Sequence, residues 1–369
     1  MAAPLRIGTR GSALALVQAR GVAEALQALG RPVELVSIET AGERASSSTA
    51  PPTPTGRAKD RWGYTPNDPS RGGDKARFVH EIEAALLAGE IDLAVHSAKD
   101  VPGELPDGLA IVGVPVRADP RDALCLAPHL AAGAAAAGSH GTTAPGAVGA
   151  GEAGGAGQAA GAGSTAGDRH RGLAAALAAL PGGAVVGTAS PRRRAQLLAA
   201  RPDLDVRELH GNVDTRLGRL AEGNLDAAVL AVAGLTRLGR AGAGVPLAVV
   251  AAVPAAGQGC LALEGRVDDR NTAALAGRLT EPAAAATLAA ERALVVALGA
   301  DCHTPVGAHA TLAGDTLEID AFVGAPDGST WIRDRCAAPA ADPAAAGRAA
   351  ADRLLASGAA EILTAARDT

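Results

Sequence analysis

Short apolar runs alternate with helical stretches along most of this chain, and that alternation constrains its fold more than any other feature. Leu5–Gly8 reads as a strand that runs into Ser12, a good N-cap, and then a periodic helix from Ala13 to Leu29 closed by Gly30. Val33–Ile38, Ile91–Val95, Leu109–Val116, Ala184–Gly187, Asp205–Leu209, Asp226–Val232 and Leu247–Val250 read as further strands. Helices are expected at Phe78–Ala88, near Arg171–Leu180, from Ser190-Pro191 onward, and over Val213–Glu222. Strands separated by helices build open, mostly parallel sheets, because parallel neighbours need a long crossover. The pattern changes late in the chain. Ala283–Leu298 is one long helical run, followed by two strand-like pieces, Ala308–Leu312 and Thr316–Phe322, joined at Gly314-Asp315, and a closing helix over Pro343–Ala356. That end reads as a small α+β domain, and 369 residues are enough for two or three domains.

Two stretches stand outside the alternation. Residues 44–73 are rich in Ser, Thr, Pro, Gly and Arg without periodicity and read as a long mobile loop. Residues 131–167 are almost entirely Ala, Gly, Ser and Thr, a composition that buries too little apolar surface to offset ordering, and read as an idle insertion.

A net charge of −5 excludes a nucleic-acid binder by bulk charge, so anion recognition has to be local. Cys125, Cys260, Cys302 and Cys336 form no C-x-x-C pair and no metal-ligand spacing. The first residues lack an apolar export segment and no run of 18 apolar residues follows, so a cytoplasmic protein with reduced thiols, no membrane partner and no metal is expected.

Polar clusters sit where strands hand over to helices, the place where open α/β sheets hold ligands. Gly8-Thr9-Arg10-Gly11-Ser12 offers main-chain N–H groups and one arginine, suited to a carboxylate or phosphate. His96-Ser97-Ala98-Lys99-Asp100-Val101-Pro102 puts a cation and an anion at a strand end; taken alone, a surface pair capping a turn before Pro102 is the better explanation. Gly187-Thr188-Ala189-Ser190-Pro191 specifies a helix start, and Arg192-Arg193-Arg194 then fill its first turn. Cations there oppose the helix dipole, so three unpaired arginines imply an anionic ligand, and the guanidinium fork suits carboxylates. His210-Gly211-Asn212-Val213-Asp214-Thr215-Arg216 and Gly234-Leu235-Thr236-Arg237 add two more cationic junctions. Last, Asp301-Cys302-His303-Thr304-Pro305-Val306-Gly307 is a polar turn that exposes its thiol. Cys125 and Cys260, among Leu and Ala, read as buried, while Cys336 lies in Arg-Asp-Arg-Cys, near basic residues that would lower its pKa.

Taken in order, "RIGTRGSALALVQA", "HSAKDVP", "VGTASPRRRAQL", "GNVDTRLGRL", "DAAVLAVAGLTRLG", "AAGQG" and "ERALVVALGADCHTPVG" resemble the porphobilinogen deaminases, over nearly the whole chain except 44–73 and 131–167. The resemblance implies two periplasmic-binding-protein-like α/β domains around a cleft plus a smaller α+β C-terminal domain: 1–118 with 262–279, then 119–261, then 283–369. It implies a monomeric transferase of haem and other tetrapyrrole biosynthesis that joins four porphobilinogen molecules head to tail into hydroxymethylbilane, releasing ammonia. The implied cofactor is dipyrromethane, held by a thioether to Cys302. By motif, Asp100 is the catalytic carboxylate; Ser12, Lys99, Thr188, Ser190, Arg192, Arg193 and Arg237 hold the cofactor. Arg10, Lys75, Phe78, Asn212 and Arg216 fall at substrate positions. The family's arginine before G-N-V is His210 here, and an imidazole reaches less far and is only partly charged near neutral pH. The competing expectation is a non-catalytic, periplasmic-type binding module whose arginine-lined cleft takes a carboxylate ligand.

Overall fold

The computed structural model describes residues 3–38, 76–131, 172–301 and 303–367, with side chains in the second segment from Val79 onward. The loop expected at 44–73 and nearly all of the insertion expected at 131–167 lie outside the described residues.

The first sheet has five strands in the order β2-β1-β3-β10-β4. Its strand β1 (Leu5–Arg10) pairs in parallel with β2 (Val33–Ile38) and β3 (Leu93–Ser97). Helices α1 (Ala13–Ala28) and α2 (Ala76–Leu87) follow β1 and precede β3. Ser12 caps α1 by accepting from the N–H of Ala15, and the helix buries Ala19, Val22, Ala23 and Leu26 against Ile7, Leu93 and Leu263. The second sheet repeats the arrangement as β7-β6-β8-β5-β9. There β6 (Val185–Gly187) pairs in parallel with β7 (Asp205–Arg207) and β8 (Ala227–Ala231). Helices α3 (Pro191–Ala200), α4 (Val213–Ala221) and α5 (Val232–Arg237) begin at or beside their C-terminal ends.

Each sheet contains one interior antiparallel strand, against the expectation of mostly parallel pairing. In the first it is β10 (Leu261–Arg266), between β3 and β4 (Leu109–Gly113); in the second it is β5 (Asp122–Leu126), between β8 and β9 (Val245–Pro246). Each is the strand through which the chain enters from the other domain, so it runs against the local βαβ order. Both are runs of five or six residues that periodicity cannot assign. The strand expected at Leu247–Val250 is absent. Leu247 makes one last bond to the Asp122 carbonyl, and the chain then turns as Ala251 N–H bonds back to Ala248.

Beyond α6 (Arg270–Gly277) comes the α+β domain. Helices α7 (Pro282–Ala297), α8 (Pro343–Ala356) and α9 (Ala359–Arg367) cover an antiparallel sheet of β11 (Val306–Ala313), β12 (Thr316–Gly324) and β13 (Trp331–Pro339). The edge strand β13 escaped the sequence reading because Arg333, Asp334 and Arg335 interrupt it. Arg333 bonds Asp320 at 3.0 Å and reaches the Val249 carbonyl at 3.0 Å, pinning this domain to the second one. Gly328 presses on α3: a Cβ there would lie 2.3 Å from the Ala199 nitrogen. The junction of all three domains is Glu291 on α7. Its buried carboxylate accepts from Arg117 (2.7 and 3.2 Å), the Gly257 N–H (2.7 Å) and the Ala310 N–H (2.7 Å).

Candidate active site

Between the two five-stranded domains lies a cleft with about 520 Å³ of empty space. The end of β3 supplies Ser97 and Lys99, α1 supplies Gln18, and the second domain supplies Arg193, Arg216 and Arg237. The segment before β10 closes the floor with Gln258, Gly259 and Cys260. Asp100 ends a single tight turn, 98–100, that follows β3 directly. The turn is placed from below, since the Ala98 N–H bonds the Cys260 carbonyl at 3.1 Å.

The electrostatics of this cleft call for an anion. Arg216 is pulled down to about 10 by burial and then by the charge of Arg193, with Asp100 opposing the shift. Burial also lowers Arg237, whose guanidinium donates to the Gly259 carbonyl at 2.8 Å. Two cations that repel one another in a desolvated site are relieved by a carboxylate-bearing ligand.

The first-turn arginines of α3 correct the sequence reading. They are not unpaired. Arg192 reaches Asp122 Oδ2 at 2.8 Å and the Val253 carbonyl at 2.7 Å; Arg193 reaches Asp122 Oδ1 at 3.0 and 2.7 Å and the Val229 carbonyl at 2.9 Å. Arg194 donates to the Val206 carbonyl. Asp122 is fully enclosed, and the two guanidinium groups hold it far below the usual carboxylate range despite its burial. The anion that the helix start demanded is therefore a residue of β5, brought in from 70 positions away. Arg193 still lines the cleft, whereas Arg192 faces the protein interior.

Other expected site residues also make local bonds at helix starts. Ser12 Oγ accepts from Ala15 N–H, Ser190 Oγ from Arg193 N–H at 3.5 Å, and Thr188 Oγ1 from Ser190 N–H at 3.2 Å. Asn212 Oδ1 accepts from the N–H and hydroxyl of Thr215, both at 2.9 Å, so its side chain is engaged at the start of α4. Arg10 sits at the end of β1. His210 pairs at the surface with Glu208 at 2.8 Å. Cys302 and Lys75 lie outside the described residues, as does the side chain of Phe78. Cys125 and Cys260 are buried as expected, each thiol pushed up to about 11. Cys336 departs from expectation: burial and then Asp334 raise its thiol pKa, with Arg353 opposing.

Sequence reasoning missed Gln18, Gln258 and Cys260 in the cleft. Gln18 could have been found as a polar residue on the apolar face of α1, where it is buried and bonds Ser97 Oγ at 2.9 Å. It also missed a buried acidic group beneath β3. His96 Nε2 lies 3.0 Å from Glu264 Oε2, and burial, then the Glu264 charge, drives the Glu83 carboxyl up to about 8.

Fold and site together define a two-lobed α/β protein with a cation-lined cleft between its lobes and a third domain seated on both. The profile "Porphobilinogen deaminase, dipyromethane cofactor binding domain" matches residues 5–145 and 170–274, and "Porphobilinogen deaminase, C-terminal domain" matches 285–356. The porphobilinogen deaminase of Trichlorobacter lovleyi is 39% identical over 362 residues, covering 97% of this chain and 95% of that one. That of Roseiflexus sp. is 40% identical over 360 residues, covering 97% and 98%. The chain belongs to the porphobilinogen deaminase family, and its cofactor is dipyrromethane. Among solved structures it is similar to a periplasmic substrate-binding protein of an ABC transporter from Coxiella burnetii (14% identity, 78% and 96% coverage, TM-score 0.36). Another is apo YehZ from Escherichia coli (11% identity, 76% and 86% coverage, TM-score 0.37).

Proposed function

We propose that this chain is a hydroxymethylbilane synthase: it deaminates porphobilinogen and joins four molecules head to tail on a dipyrromethane bound through Cys302. The observation that carries this reading is the set of cleft cations: Arg193, Arg216 and Arg237 from the second domain, and Lys99 from the turn that Asp100 ends. The donor set fits the group, because a dipyrromethane and each added pyrrole bring acetate and propionate carboxylates that match guanidinium forks. Bound there, dipyrromethane supplies the primer, a pyrrole with a free, nucleophilic α-carbon. The protein's own part is to orient carboxylates and handle protons. Asp100 is the proton-handling group: it stabilises the cationic pyrrole and delivers a proton to the departing amine. Arg216, electrostatically coupled to Asp100 and to Arg193, anchors the incoming substrate.

The reading extends to domain division and setting. We take the domains as 1–118 with 262–279, 119–261 and 283–369, supported by the membership of the three sheets. We take the protein to act as a monomer in the cytoplasm, which sedimentation and fractionation would check. The decisive test is intact mass with peptide mapping. An adduct of two pyrrole units on the peptide containing Cys302, absent from an inactive Cys302→Ala, is the expected result. A purified protein of unmodified mass, or an adduct on Cys336, overturns the reading in favour of a binding module or another attachment site.

A further inference from the structure

Helix α7 belongs to the core of the C-terminal domain through Ala290, Leu294 and Leu298. Its opposite side grips the main chain just after Asp100. Arg292 Nη2 donates to the carbonyls of Pro102 at 2.6 Å and Gly103 at 2.9 Å, and Nη1 to that of Val101 at 3.3 Å. Three successive carbonyls turned toward one guanidinium match a planar fork, whose donors on two nitrogens are held at fixed spacing, whereas an ammonium is a single point on a flexible stem.

The same segment meets the helix at further points. A Cβ on Gly103 would stand 2.8 Å from Val296 Cγ2, so the chain there lies against α7 with no space between. Ala98 and Val101 are buried in one cluster with Ala284 and Leu288 of α7. Gly257, at φ +72°, fills the remaining gap: a Cβ would lie 3.0 Å from both the Ala98 carbonyl carbon and Leu288 Cδ1. Residues 98–103 thus rest on the C-terminal domain and do not merely trail from β3.

Among the described residues, the hydrogen bonds of Arg292 all go to main-chain carbonyls. Burial lowers its pKa, with the more distant charge of Glu264 opposing the shift. A desolvated cation held only by carbonyls is a costly way to fasten two surfaces, since an apolar contact such as Gly103 against Val296 does it without charge. What the fork adds is orientation of those peptide planes.

We propose that Arg292 is a positioning residue for the reaction, fixing from the C-terminal domain the main chain that follows Asp100 and so the place of its carboxylate. This rests on the reading of Asp100 as the proton-handling group.

The test uses the holoenzyme and five variants: Asp100→Asn, and Arg292→Gln and Arg292→Lys, each alone and combined with Asp100→Asn. Steady-state turnover, intact mass for cofactor content, and amide hydrogen exchange over residues 98–104 are measured. Arg292→Gln is expected to keep its cofactor, leave KM within about threefold, and lower kcat about 10- to 100-fold, the scale of a slight misplacement of a catalytic group. Exchange over 98–104 should rise, and Arg292→Lys should fall between the two, which keeps the test alive should the glutamine variant fold poorly. In the Asp100→Asn background the same changes should alter residual turnover less than about twofold, because the group they position is gone. Equal losses in both backgrounds, unchanged exchange, or activity that simply tracks cofactor content would overturn the proposal. Near-normal turnover in Asp100→Asn alone would instead remove the Asp100 reading, and the exchange of 98–104 would still report separately whether Arg292 holds the segment.

Discussion

Arg193 Nε and Nη2 both donate to Oδ1 of Asp122, at 3.0 and 2.7 Å, inside the wall of the cleft. One arginine thus faces two ways. Its charge is balanced from behind by β5, yet enough of its field remains in the cleft to depress Arg216. The basic helix start is therefore paired inside the protein and still lends positive charge to the cleft.

Asp122→Asn should strip the counter-charge from two buried guanidinium groups and cost about 3–5 kcal/mol of stability, the usual scale for breaking a buried pair from one side. Arg193→Leu loses the same pair and should lose stability together with cofactor binding, so it is no clean probe of the ligand. Because the folded Asp122 pKa is depressed, its contribution is complete above the unfolded value near pH 3.9 and is lost only as pH falls below that. Urea titration at neutral pH and near pH 3 would check this. A loss under about 1 kcal/mol at pH 7 would show that the pair is not what holds this wall.

Arg216→Gln should separate binding from folding. Among the described residues its side chain makes one hydrogen bond, to the Gly211 carbonyl at 2.8 Å, and its removal relieves repulsion with Arg193. Stability should stay within about 0.5 kcal/mol of the parent, while KM for porphobilinogen rises about tenfold or more, the worth of one charge-assisted contact. Thermal unfolding alongside initial-rate kinetics reads both quantities. Unchanged KM would remove Arg216 from the substrate contacts.

Asp100→Asn should fold, carry its cofactor and lose turnover about 10²- to 10⁴-fold, the range supplied by a well-placed proton-transfer group. The substitution is isosteric, and the buried Ala98 and Val101 help to fix the turn that Asp100 ends. Activity within a few-fold of the parent, with full cofactor by mass, would reassign the proton chemistry elsewhere.

Glu83→Gln should change the pH profile of stability. The folded carboxyl keeps its proton to about pH 8, while an unfolded glutamate releases it near pH 4.3. Between those values the native state binds more protons than the unfolded one, so stability falls as pH rises, by up to about 5 kcal/mol. The glutamine variant should match the parent near pH 4 and exceed it above pH 8. Parallel profiles from denaturant melts at the two pH values would mean that Glu83 is not the proton-holding group of the buried cluster with Glu264.

Local rules carried far in this chain. Ser12, Ser190 and Asn212 cap helices where their types and spacing require, since a cap is an interaction over three residues. The alternation of apolar runs and helices placed β1, β2, α1, α3 and α4 to within a residue or two at most ends, and the position of the Lys99-Asp100 turn at a strand end came with it. What local pattern could not reach was pairing across distance. Asp122 is one acid in a short apolar run until the fold sets it beneath Arg192 and Arg193, 70 and 71 residues on. Strands β5 and β10 run antiparallel because the chain changes domain there, a topological fact with no signature in five or six residues. Arg292 looks like any helix arginine until the fold brings it to the carbonyls after Asp100, roughly 190 positions earlier in the chain. Caps, periodicity and motif order are written in neighbouring residues; which charge answers which is decided only when separate strands and helices meet and exclude water between them.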